Sequence, residues 1–332
     1  METILVIAHT ETDGSLAKPA LEAIAASRNI TGTLIVGLIG TDTQKAANQI
    51  AGCGAAKFLT VTGPEFSQPR YATDAAAAEA ICKAANATII IVPHTSRWGR
   101  VAAGVAARLS GRADTHVTAI SATGVTRWYY RQRMEAVLTR TQRPWLIALD
   151  PGCVAPLECA AGSATTTPVT VSVTAPRTQV TGIKAPEASQ QTIRPDAKLL
   201  FVAGAGWTKK QADGQTHVPE AAEIILGFLN ASKASLGSSK SLVDISGEGG
   251  AVLPFMSHLN QVGQTGSTPR HPKGLSTCCH GEEPHTVGWR FINERRAISL
   301  DPNCGWSRGK ADVLYVADAF AVMRKVNSLL VK

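Results

Sequence analysis

The chain has 332 residues, 44% hydrophobic but only 5% aromatic, with a formal charge of +8. That length suffices for two domains, each with its own core, and apolar residues that are mostly Ala, Val, Ile and Leu suit buried strands covered by helices. The basic residues are dispersed rather than interleaved with aromatics, which argues against a nucleic-acid binder, and no apolar run approaches the ~18 residues of a spanning helix.

The opening METILVIAHTE turns polar too soon for a secretory segment, so a cytoplasmic location is expected. In chain order, Ile4 to Ala8 reads as a buried strand, and Asp13-Gly14-Ser15 as a turn leading into a helix through Leu16, Pro19, Ile24 and Ser27. Leu34 to Leu38 is the next strand and Thr43 to Ala51 the next helix. Lys57 to Val61 and Ala72 to Ala85 repeat the pair. Thr88 to Val92 is the clearest strand, followed by a helix from Gly99 to Leu109. This alternation predicts βαβ crossovers and a parallel sheet. Beyond Ile120 the pattern blurs, and Trp128 to Arg133 and Arg143-Pro144-Trp145 are expected to frame antiparallel edge strands.

From Ala161 to Asp196 the composition shifts to Thr, Ser, Pro, Gln and Lys, so a linker is expected there, with one short strand where Val169, Val171 and Val173 alternate. The expected domains are therefore 1–160 and 197–332. The second half restarts with a strand over Lys198 to Val202, then a helix from Glu220 to Asn230, a strand from Arg296 to Leu300 and a closing helix from Ala319 to Leu330.

Two segments could carry chemistry. Gly204-Ala205-Gly206 follows a strand, as a phosphate-binding turn would, but Lys209 stands at the third glycine position of GxGxxG, so an ordinary strand-to-helix turn fits as well. Gln261-Val262-Gly263-Gln264-Thr265-Gly266 sets two glycines around amides and a hydroxyl, so backbone and side-chain donors can converge on one anion or heterocycle. A polar loop has the same composition.

The QVGQTG string resembles the flavin-binding loop of the electron-transfer flavoprotein alpha subunit. The spacing that follows agrees: Gly281, His285 and Gly288, then Ala297-Ile298-Ser299 and Asp301-Pro302. Gly237-Ser238-Ser239-Lys240 with Val243-Asp244 resembles that family's turn before Val-Asp, and Ala311-Asp312 through Asp318 and Phe320 its last acidic motif. The order of elements in the first half is also similar, from ILVIAHTETDGSL to TIIIVPHTSRWGR.

The resemblance implies an α/β chain with a nucleotide-binding-like parallel-sheet domain, which packs on a beta subunit, and a C-terminal Rossmann-like domain, which binds FAD. It implies Gly204 at the flavin, Ser239 and Lys240 near the diphosphate and isoalloxazine, and Gln261, Val262, Gly263, Gln264, Thr265 and Gly266 along the ring edge, with Thr265 near N5. His280 and Gly281 would border the ring, His285 would face its C2 carbonyl and raise its one-electron potential, and Ser299 and Asp312 would hold the adenosine end. The implied role is an electron carrier rather than a stand-alone catalyst, between a partner dehydrogenase and a quinone oxidoreductase or similar acceptor. The sequence also departs from the family. Gly206 stands where an Arg is usual, Lys240 replaces Arg, His280 Ser, Pro284 Gln and Ser299 Asn, and there is an insertion around Gly247 to Leu253. These changes leave open a flavin-poor scaffold subunit or an adenine-nucleotide-binding α/β module.

Seven cysteines without a CxxC pair point to reduced thiols. Cys278-Cys279-His280 with His285 lacks the spacer of a chelating pair, so no metal ligands are assigned. The pattern gives His94, His116 and His258 no carboxylate-plus-nucleophile company, and no nucleophile elbow is present.

Overall fold

The structure is a computed structural model that describes residues 1–129, 134–173, 177–182, 193–194, 196–244, 250–263, 268–277, 291–304 and 307–331. The chain forms two compact units, Met1–Ile183 and Lys184–Lys332. Both are α/β. Among the described residues no helix is long and apolar enough to cross a membrane.

The first unit runs β1 (Glu2–His9), α1 (Lys18–Ser27), β2 (Gly32–Gly40), α2 (Gln44–Gln49), β3 (Lys57–Thr62), α3 (Tyr71–Ala85), β4 (Ile89–Pro93), α4 (Ser96–Arg108), β5 (Arg112–Ile120), β6 (Val125–Tyr129), β7 (Met134–Leu138), β8 (Trp145–Leu149) and β9 (Thr166–Pro168). These nine strands form one sheet in the order β7-β6-β5-β8-β4-β1-β2-β3-β9. Alternate residues of a strand face opposite sides. Ile4, Val6 and Ala8 accordingly join a core with α1 and α2, whereas Leu5 and Ile7 join a second core with α3 and α4. Apolar cover on both faces explains the near-continuous Val/Ile/Leu runs that made β1, β2 and β4 legible.

The sheet is mixed, in keeping with the antiparallel edge strands expected beyond Ile120: β6 is antiparallel to both β5 and β7, and residues 130–133 lie outside the described ones. Two expectations change here. Arg143-Pro144-Trp145 does not begin an edge strand. Trp145–Leu149 is fully buried and parallel to both β4 and β5, the environment that an unbroken apolar run requires. The expected linker is structured at its start: Thr166–Pro168 adds a parallel strand beside β3, and Val169, Val171 and Val173 pack against the core under α3 and α4.

The second unit contains β10 (Leu199–Ala203), α5 (Val218–Ser232), β11 (Ser235–Ser238), α6 (Lys240–Asp244), β12 (His271–Thr277), β13 (Ile292–Ser299), β14 (Val313–Val316) and α7 (Ala319–Leu330). Its five strands are all parallel, in the order β11-β10-β12-β13-β14. Phe201 and Ala203 pack with α5 and α7 through Ile225, Phe228, Phe320 and Met323. Leu200 and Val202 point the other way, to Val262, Phe291 and Ile292.

Candidate functional site at the carboxyl ends of the second sheet

Open parallel sheets bind ligands outside the carboxyl ends of their strands, where successive connections leave in opposite directions. In the second unit that place lies between β10 and β12: β10 leads through α5 to β11 on one side, and the chain then crosses back to β12 on the other. The Ala203–Trp207 turn, Ser238–Lys240, Thr277 and Ser299 all end strands at this edge. Gln261 joins them through a parallel bridge to Ser238, sealed by Val262 N–H donating to the Ser238 carbonyl at 3.0 Å.

The turn after β10 is knitted inward. Gly204 N–H donates to the Thr277 carbonyl at 2.8 Å, and the Trp207 indole N–H donates to Thr277 Oγ1 at 2.8 Å while its ring stacks 4.5 Å from that of Phe320. Lys209 is exposed beyond the turn. After β11, Ser239 is buried and its Oγ accepts from Leu242 N–H, so it caps the short α6. Lys240 is exposed, with its Nζ 3.6 Å from Asp244 Oδ2. Val262 is fully buried in the small apolar cluster with Leu200 and Val202, so its side chain packs and its N–H is already used. Gly263 has φ +76°, a left-handed conformation natural to glycine, and donates to Thr268 Oγ1 at 2.8 Å.

Ser238 Oγ and Gln261 Oε1 are buried and have no hydrogen-bonding partner among the described residues, though they belong to bridged residues at the crevice. Leaving such a group unpaired costs about 1–3 kcal/mol. A hydroxyl and an amide oxygen on bridged residues suit a ligand that offers both a donor and an acceptor.

The adenosine-end pair is not brought together. Ser299 ends β13, buried, with its Oγ accepting from Asp301 N–H at 3.2 Å. Asp312 precedes β14, four residues before Val316 and hence roughly 13 Å toward the amino ends of the strands. There it accepts from the Arg295 side chain and backbone N–H, each at 2.7 Å, and the Arg295 hydrogen bonds hold its carboxyl below the usual range. The carboxylate at the carboxyl edge is that of Asp318, which follows β14 and caps α7 by accepting from Phe320 and Ala321 N–H. Its position as an N-cap before an amphipathic run was a signal available in the sequence. Gln264, Thr265, Gly266, His280, Gly281 and His285 lie outside the described residues, as do Cys278 and Cys279.

The first unit holds a constellation that the sequence pattern did not show. His94 and Asp150 follow the parallel neighbours β4 and β8, and His116 sits in β5 beside them. His94 Nδ1 is 2.8 Å, and His116 Nδ1 3.3 Å, from Asp150 Oδ1. The hydrogen bond with Asp150 raises the His116 pKa. Burial pushes the Asp150 carboxyl up, but the two imidazoles outweigh it and leave the carboxyl below its ordinary value. His258 also has a carboxylate neighbour, Asp244, at 3.3 Å.

Residues 4–176, more than half of the chain, match the model of the electron transfer flavoprotein domain. The chain is also 25% identical over 315 residues to the electron transfer flavoprotein subunit alpha of Bacillus subtilis (strain 168), covering 92% of this chain and 89% of that one. The domain match falls within the first unit, and the similarity to the alpha subunit extends across the second. The chain belongs to the electron transfer flavoprotein family, as a divergent member of the alpha-subunit type.

Proposed function

We propose that the second unit binds FAD at the carboxyl edge between β10 and β12, and that the chain, paired with a beta-type subunit, carries electrons from a partner dehydrogenase to a quinone oxidoreductase or similar acceptor. The observation that carries this reading is a pair of buried oxygens without a partner among the described residues, Ser238 Oγ and Gln261 Oε1, at the crevice where such sheets take ligands. Gln261 Oε1 would accept from a donor of the ligand, and Ser238 Oγ would donate to or accept from another of its polar atoms. Lys240 supplies a positive charge near the anionic part of the ligand, and an exposed lysine can swing away from Asp244 to do so. When bound, the isoalloxazine ring supplies reversible acceptance and release of electrons, and the protein sets its position and electrostatics. Gly204 and Trp207 tie β10 to β12 and so fix the wall of the crevice, in place of the arginine usual at Gly206.

Co-purification with the beta-type subunit, followed by a visible spectrum and flavin counting, tests the proposal. A yellow complex with FAD near one per pair is expected. A colourless pair would favour a scaffold subunit, and release of AMP or ATP without flavin an adenine-nucleotide module.

A further inference from the structure

We propose that His94, His116 and Asp150 form a binding site for a divalent transition-metal ion of the zinc class, at the carboxyl ends of β4, β5 and β8 in the first unit. Each residue offers one ligand atom, and all three atoms lie within 4.8 Å of one another. Two imidazoles and a carboxylate are a donor set that zinc and similar ions accept, and metal–ligand bonds of about 2.0–2.2 Å put neighbouring donors roughly 3.3 Å apart in a tetrahedron. The His116 separation of 3.3 Å matches that edge, and His94, now at a hydrogen-bond distance of 2.8 Å, would need to open by about 0.5 Å to reach it.

The backbone shows how the cluster is assembled. Four described non-glycine residues have left-handed φ: Asn86, Ser110, His116 and Lys233. Asn86 and Lys233 cap the carboxyl ends of α3 and α5, and Ser110 follows α4, places where that conformation is routine. His116 alone adopts it inside a strand, at φ +57°, where the register of β5 shifts against β8 between Asp114 and Val117. A bulge of this kind redirects a side chain, at a cost in backbone strain. Here it brings the His116 ring edge-on to that of His94, with centroids 4.4 Å apart, and onto Asp150. On α4, Gly99 leaves clearance for the His94 ring, since a Cβ there would stand 3.3 Å from Nε2. His94 and Asp150 are largely covered while the His116 side chain is 52% exposed, so the site opens to solvent on that side. Three protein ligands with an open position also leave room for water or for a side chain from another protein.

The test uses the full chain, stripped with a chelator, then dialysed against zinc and analysed for metal per chain. One equivalent is expected to remain, with zinc raising the thermal midpoint. His116→Gly suits the left-handed backbone, so it should fold, and both it and Asp150→Asn should weaken zinc binding by about 10-fold or more, at least the loss seen when outer-shell partners are removed. A Cys278→Ser, Cys279→Ser double variant should retain the zinc. Absence of bound zinc, equal retention in His116→Gly and Asp150→Asn, or loss confined to the cysteine variant would each overturn the assignment.

Discussion

Ser238 is buried and its hydroxyl has no partner among the described residues, so removing the hydroxyl should not harm the flavin-free chain. Ser238→Ala is expected to leave its stability unchanged or raise it by up to about 1 kcal/mol, while weakening flavin retention by roughly fivefold, the worth of one net hydrogen bond. Urea unfolding of the flavin-free chain and flavin titration separate the two effects; a clear loss of stability would mean that the hydroxyl has a partner within the protein. The two carboxylates of the last motif should also part company. Asp312→Ala removes a half-exposed pair with Arg295 and should cost under about 1 kcal/mol with flavin content intact. Asp318→Ala removes the α7 cap, costing about 1 kcal/mol, and alters the carboxyl edge. Equal flavin loss from both variants would contradict this placement. The family resemblance assigned the adenosine end to Asp312; the pairing of β13 with β14 shows which end of the strand each carboxylate occupies, and that is not legible along the chain.

Among the elements, the antiparallel end of the large sheet is fastened by one acid. Asp114 in β5 accepts from Arg127 in β6 at 3.2 Å, from the Trp145 indole of β8 at 2.9 Å, and from both Nε and Nη2 of Arg140. Burial raises its pKa, yet the Arg140 and Trp145 hydrogen bonds prevail and lower it. Asp114→Ala leaves two guanidinium groups and an indole N–H without their acceptor and should destabilise the first unit by about 3–5 kcal/mol, read as a fall in the urea midpoint. A change under 1 kcal/mol would show that water satisfies those donors. The helices other than α6, which was read as a turn, and the strands β1 to β4 were legible because their apolar periodicity is local. β5 was missed because Arg112, Asp114 and His116 interrupt the apolar run; their partners are brought in by β6 and β8, which local pattern cannot reveal.

For the whole molecule, acid should act in two stages on chelator-treated protein. Burial lowers the His9 pKa, so the folded chain resists a proton that the unfolded chain accepts, and the His9 share of the stability falls as pH drops below about 6.5. His116, raised by Asp150, offsets it in the same window and keeps the decline shallow. For Asp74, burial acts upward, but His9 and Arg97 prevail and depress its pKa, as the hydrogen bonds to Asp114 depress that one. Stability from these carboxylates is complete above their unfolded value near 3.8 and is lost as pH falls through the lower folded values. Glu22, raised by burial, works in the opposite direction. Urea midpoints measured from pH 7 to 3 should show a shallow decline below 6.5 and a steep one below about 4. A flat profile would mean that these groups are paired as strongly in the unfolded chain.

Sequence alone determined the α/β class, the order of the early elements and the family resemblance, since each depends on residues near one another along the chain. Tertiary structure decided what depends on strand pairing. It made Trp145–Leu149 central, moved Asp312 away from the carboxyl edge, set Ser238 beside Gln261, and gathered His94, His116 and Asp150 from three strands. A strand's own residues specify which faces are apolar. Which neighbour it pairs with, and in what register, is fixed only when the whole sheet packs.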